Sequence, residues 1–176
     1  MDWSQVLERW STILALPVAV FGVLVAWRAL KPAKESDVPH FIYSVMNSKC
    51  LDVPWEAEID VVHMWEFHGN VNQRWCIVKV SGNLFKIFSQ YTGKCLEIEE
   101  QLPSNGARAK QGNFKGKPHQ LWRISRLSPG VYSILNQHSG KALDLLGWAD
   151  EDGALIGQWS WDGESKQRWR IEPPID

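Results

Sequence analysis

A chain of 176 residues with 44% hydrophobic content has the apolar surface for one domain-sized core and not for two. Its 19 basic and 20 acidic residues nearly cancel, which excludes the basic footprint of a nucleic-acid binder. Three cysteines and no Asn-x-Ser/Thr sequon favour free thiols in a reducing compartment over an extracellular disulfide framework.

The first element in the chain is an apolar run, Trp10 to Trp27, bounded by Arg9 and Arg28. Its eighteen uncharged, mostly apolar residues would span about 27 Å as a helix at roughly 1.5 Å per residue, close to the thickness of a bilayer core. Trp10 and Trp27 stand where an interfacial aromatic belt would place them, and Pro17 in the middle is tolerated better in membrane helices than in soluble ones. The run reads as one N-terminal hydrophobic helix, a single-pass anchor. A cleaved secretory signal is the competing reading; the acidic Asp2 and Glu8 and the lack of a small-x-small cleavage site at Val25-Ala26-Trp27 argue against it. Arg28, Lys31 and Lys34 outnumber Arg9, so the positive-inside rule puts the C-terminal part in the cytosol. An inverted anchor or a signal peptide would make it lumenal or secreted. Residues 1–30 are thus tail and anchor, 31–39 a Pro-containing linker, and 40–176 the main domain.

That domain is repetitive. Gln73-Arg74-Trp75, Gln120-Leu121-Trp122 and Gln167-Arg168-Trp169 recur every 47 residues. Earlier in each unit stands a second mark: Ser48-Lys49-Cys50-Leu51-Asp52-Val53, Gly93-Lys94-Cys95-Leu96-Glu97-Ile98 and Gly140-Lys141-Ala142-Leu143-Asp144-Leu145. The leucines step by 45 and then 47, so the first unit is two residues shorter between its marks. Alternating or β-branched runs open each unit at Phe41–Val45, Leu84–Phe88 and Val131–Leu135, with Gly, Asn and Ser clusters between strands. This spacing predicts an all-β domain, and the threefold period selects a β-trefoil of twelve strands, four to a unit. Leu51/Leu96/Leu143, Trp75/Trp122/Trp169, Ile77/Ile124/Ile171 and Ile42/Ile87/Ile134 are the predicted core layers.

Three units of this length, each with a Gly-Lys-x-Leu-Asp-like strand and a closing Gln-x-Trp, resemble the ricin B-type (R-type) β-trefoil lectins from about His40 to Ile171. The stretches Trp65-Glu66-Phe67-His68-Gly69 and Trp159-Ser160-Trp161-Asp162-Gly163 are more similar to the disulfide-free fungal members than to the plant toxins. In the toxins, the resemblance implies, the position of Cys50 pairs with that of Phe67 and the position of Cys95 with that of Phe114; Ala142 and Trp161 replace the third pair. No disulfide can form there.

The resemblance also implies one shallow sugar site per unit, made of a carboxylate, an aromatic face and an amide at Gln-x-Trp. In the first unit these are Asp52, Trp65, Asn72 and Gln73, with His63 two residues before the aromatic. The third unit keeps Asp144, Trp159 and Gln167 but has Gly157 and Lys166 where His63 and Asn72 align. The second has Glu97 but Gly112 in the aromatic slot, so it lacks a stacking surface. No catalytic constellation, metal-type spacing or phosphate-cradling loop is present, and no cofactor is expected. The leading expectation is a membrane-anchored lectin binding a Gal/GalNAc-type glycan without chemistry. The alternatives are an adaptor whose loops meet a protein partner, and an enzyme with a paired-carboxylate site.

Overall fold

The structure is a computed structural model and describes residues 38–56, 60–173 and 175. The predicted anchor helix and most of the linker lie outside these residues. Among the described residues no helix is long and apolar enough to cross a membrane.

Among the described residues twelve short strands fall into three sets of four. The first unit holds β1 (Pro39–Ser44), β2 (Cys50–Asp52), β3 (His63–Trp65) and β4 (Trp75–Ser81). The second holds β5 (Leu84–Ser89), β6 (Cys95–Ile98), β7 (Ala109–Gly112) and β8 (Trp122–Ser128). The third holds β9 (Val131–Asn136), β10 (Ala142–Leu145), β11 (Ile156–Trp159) and β12 (Trp169–Glu172). The first and last strands of each unit pair antiparallel around a closed ring, in the order β1, β4, β5, β8, β9, β12 and back to β1. Closure leaves the barrel no free edge. The inner pairs β2–β3, β6–β7 and β10–β11 are hairpins. Single bridges join them around the pseudo-threefold axis: Val61 to Lys110, His63 to Leu155, and Arg108 to Gly157. This is the trefoil that the repeat predicts.

The four predicted core layers are all buried. Each repeated tryptophan also makes the same polar contact, its indole Nε1–H donating to the carbonyl of the repeated leucine. Trp75 reaches Leu51 at 3.0 Å, Trp122 reaches Leu96 at 2.9 Å, and Trp169 reaches Leu143 at 3.1 Å. The last strand of each unit is thereby fastened to its first hairpin strand, one residue before the acid.

The glutamine of each Gln-x-Trp fastens the preceding loop. Gln73, Gln120 and Gln167 donate from Nε2 to the carbonyls of Glu66, Asn113 and Ser160 at 2.9, 2.8 and 3.0 Å. Their Oε1 atoms accept backbone N–H groups in return, from His68 and Gly69, from Lys115 and Lys117, and from Asp162. Gly69 adopts φ +73°, a left-handed conformation that glycine enters without a Cβ penalty and that turns its N–H to Gln73.

Neighbouring units are clasped by polar contacts as well. Asp152 Oδ1 accepts from Lys49 Nζ at 2.7 Å and from Glu66 N at 2.9 Å, while Lys94 meets Asp60 at 2.6 Å. At the third junction Asn105 Oδ1 accepts from Ser160 N at 3.0 Å. All three cysteines are free. Burial pushes the Cys50 and Cys95 thiols up to about 12, which keeps them protonated. At the positions that the resemblance aligns with the toxins' partner cysteines, Phe67 packs edge-on against Phe41, with centroids 5.0 Å apart, and Phe114 packs against Phe88 at 5.7 Å.

Replacing Trp122 by Phe tests the indole contact. It retains an aromatic ring but strands the buried Leu96 carbonyl, an expected loss of about 1 to 3 kcal/mol with a further cost for the smaller ring. Urea unfolding followed by circular dichroism measures the loss, and an unchanged midpoint contradicts the assigned role.

Candidate functional site

The hairpins present equivalent slots in one register. In the first unit Asp52 lies opposite His63, and Cys50 opposite Trp65. The matching pairs are Glu97–Lys110 with Cys95–Gly112 in the second, and Asp144–Gly157 with Ala142–Trp159 in the third. Side chains two apart on a strand share a face, so the aromatic slot flanks the residue across from the acid.

In the first unit an acid, an aromatic face and an open space come together. A cavity of about 400 Å³ has Asp52 at its floor and Trp65 and Trp55 in its walls. Trp65 and Trp55 are 40% and 52% exposed, whereas Asp52 is almost wholly buried. Asn72 Nδ2 donates to both carboxylate oxygens at 3.1 Å and to Val53 O at 3.0 Å. His63 Nε2 lies 3.0 Å from Oδ1, and a carboxylate only accepts, so that nitrogen carries the proton. His68 Nε2 lies 3.4 Å from Oδ2, while its Nδ1 accepts from Asn70 N. The His63 ring also leans on Trp65, with centroids 5.3 Å apart and planes 33° from parallel. Trp55 is held from the second unit: Tyr91 Oη donates to its carbonyl at 2.9 Å and the two rings meet edge-on at 5.2 Å.

The second unit is filled differently. Glu97 accepts from Gln120 Nε2 at 2.6 Å, with Lys110 and His119 each 3.8 Å away. A Cβ at Gly112 would meet the Glu97 carboxylate at 2.5 Å, so the longer acid itself occupies the aromatic slot. In the third unit Asp144 accepts from Gln167 Nε2 at 2.8 Å, and Trp159 and Trp148 are both exposed. A Cβ at Gly157 would meet the Ala107 carbonyl at 2.6 Å, so no side chain can stand where His63 does. Lys166 fills the place of Asn72, with Nζ 3.8 Å from Asp144.

The model of the ricin-type β-trefoil lectin domain-like family matches residues 26–112 and 118–176. The chain belongs to that family. Among solved structures it is similar to the designed threefold-symmetric protein ThreeFoil, at 32% identity and TM-score 0.72, over 76% of this chain and 96% of that one. The exo-β-1,3-galactanase of Clostridium thermocellum matches at 28% identity and TM-score 0.71, but over 29% of its own length against 76% of this chain. The Macrolepiota procera ricin B-like lectin, solved with lactose, shares the fold at 22% identity and TM-score 0.65, over 82% and 99% of the two chains. No curated protein sequence matches this chain. Family membership supports carbohydrate binding as the class of function.

Within this lectin domain the structure gathers Asp52, His63, Trp65 and Asn72 at one cavity. Gln73 is fully buried and holds the loop after Trp65 from beneath, so it shapes the site without facing it. Gln167 does the same and also bonds Asp144. His68 and Trp55 line the cavity, Tyr91 supports Trp55 and Trp148 stands by Lys166 in the third unit, yet none carries a repeat mark; a tryptophan shortly after each of Asp52 and Asp144 was the available signal. Among the described residues no group of three His, Cys, Asp or Glu is arranged to hold a metal.

Burial raises the Asp144 carboxyl above its ordinary 3.8, against the lowering effect of Gln167 and Lys166. The folded state therefore binds this proton more tightly than the unfolded chain does. That contribution to stability is complete below the unfolded value and disappears as pH rises through the folded one. The Asp144→Asn variant should lose less stability than the parent between pH 4 and pH 7, read from urea midpoints across that range. A steeper loss in the variant contradicts the sign.

Proposed function

We propose that the chain is a membrane-anchored lectin that binds a Gal- or GalNAc-type glycan through its first unit, without chemistry. The supporting observation is an open cavity in which a carboxylate, an imidazole and an amide converge beside an exposed indole. A hexose presents hydroxyls on its edge and an apolar C–H surface on one face. Asp52 suits the hydroxyls as acceptor, Asn72 and His63 hold that carboxylate and donate, and Trp65 takes the apolar face. The sugar class is suggested by the lactose of the Macrolepiota lectin and by the GalNAc bound to the earthworm R-type lectin C-half, which is 21% identical. A Gal-type ring offers the C–H face that such an indole would cover.

A glycan array with the full chain tests this reading. Asp52→Asn removes the charge from the acceptor, and hydrogen bonds to charged groups contribute about 1.5 to 3 kcal/mol, so binding should weaken by roughly ten- to a hundredfold. Trp65→Ala should weaken it in parallel. Silence of the wild-type chain on every glycan, or indifference to both substitutions, rejects the proposal.

The membrane part rests on the Trp10–Trp27 run and the basic residues after it. We place the lectin domain in the cytosol, where thiols such as Cys50, Cys76 and Cys95 stay unpaired. Protease added to sealed vesicles carrying the chain in its native orientation should degrade the domain on the cytosolic side. Protection until detergent is added reverses the orientation.

A further inference from the structure

The third unit has an acid and an exposed indole in the same slots as the first, yet the space between its aromatic walls is filled from within. The Lys166 side chain is only 12% exposed, and its Nζ lies 3.8 Å from Asp144 Oδ2 and 3.6 Å from Asp162 Oδ2. The same ammonium stands 5.1 Å from the centroid of Trp148 and 5.8 Å from that of Trp159. Two indole rings and two carboxylates surround the ammonium, which they attract through the ring quadrupoles and through opposite charge.

We propose that Lys166 is the residue that closes the third unit: its ammonium takes the seat of a neutral sugar ring and makes Asp144 the counter-ion of an internal lysine. The inference rests on the glycan-binding reading of the first unit and extends it to valency, since the chain then carries one usable site. The comparison with the first unit shows what a change of one side chain does. Asn72 is short, donates to both oxygens of Asp52 and leaves the cavity between Trp55 and Trp65 open. Lysine at the aligned position is longer and charged, and it reaches past the acid to the rings.

Displacing the lysine is unfavourable for a neutral sugar. The incoming hydroxyls carry no charge, so they would leave Asp144 and the ammonium without their counter-charges. The lysine is also tethered, so its local concentration is that of an intramolecular group, on the order of millimolar or more. An acidic sugar gains nothing either, because two carboxylates already face the one ammonium.

The test compares the full chain with Lys166→Asn, Asp52→Asn, the double variant Asp52→Asn/Lys166→Asn, and Lys166→Arg on an array of Gal- and GalNAc-terminated glycans. Thermal melting verifies that each is folded. Lys166→Asn should raise lactose stoichiometry from one to two per chain by calorimetry. The double variant should retain array binding through the third unit while Asp52→Asn alone shows little, and Lys166→Arg should stay closed. Should Lys166→Asn fail to fold, Lys166→Ala empties the same seat and serves the same comparison. A folded double variant that binds no glycan overturns the proposal, as does a wild-type chain that already binds two lactose molecules. The first unit is judged separately, by wild type against Asp52→Asn, so failure of one reading is distinguishable from failure of the other.

Discussion

Three buried hydrogen bonds, from the indoles of Trp75, Trp122 and Trp169 to the carbonyls of Leu51, Leu96 and Leu143, decide where every other feature of this domain can lie. Each joins a barrel strand to a hairpin strand across more than twenty residues of chain. A carbonyl in the core without a donor loses the full cost of its desolvation, so neither partner can drift. The residue after each leucine is the acid, which is consequently delivered to one place at the hairpin base in every unit. The glutamine two positions before each tryptophan then holds the loop on the other side of that acid. The recurring residues are therefore the frame of a site and not its contacts.

This division explains what could be read without coordinates. The period, the twelve core positions and the closed barrel were legible because each depends on side chains that must recur to pack against their symmetry mates. The alignment of the acid and aromatic positions between units followed from the same period. The contents of the slots were not legible to the same degree. From sequence alone Gln73, beside Asn72, counts as a second amide ligand, but the 3₁₀ turn Val71–Gln73 sends the two amides to different tasks. Trp148 sits in a loop whose length differs between the first and third units, so alignment does not reveal that it faces Trp159 across a lysine. Spacing reports which residues share a frame; reach across a loop decides which of them meet.

The three acids show how far one frame tolerates divergence. Asp52 is surrounded by two imidazoles and an amide, which hold it without filling the space in front of it. Glu97 is one methylene longer and turns that length into the aromatic slot, where its carboxylate stands beside Gly112. Asp144 keeps the shorter side chain and the indole but takes a lysine as neighbour. None of these changes touches the indole-to-leucine contact, so each unit can gain or lose a ligand without altering the barrel. Pseudo-symmetry thus preserves the fold while leaving each site free to differ.

A single shallow site has a physical consequence for how such a protein would act. A sugar held by one carboxylate, one ring and a few donors buries little surface, and the ordering of both partners consumes much of what the contacts contribute. A chain with three open sites can recover affinity by engaging several branches of one glycan; a chain with one cannot. Copies confined to a common surface recover it differently, because the second encounter takes place at the effective concentration set by the first. On the proposed anchor, valency moves from the three units of one domain to the density of domains on a membrane. Closure of two units and tethering of the whole chain are then two sides of one arrangement, in which the membrane and not the trefoil symmetry multiplies the binding.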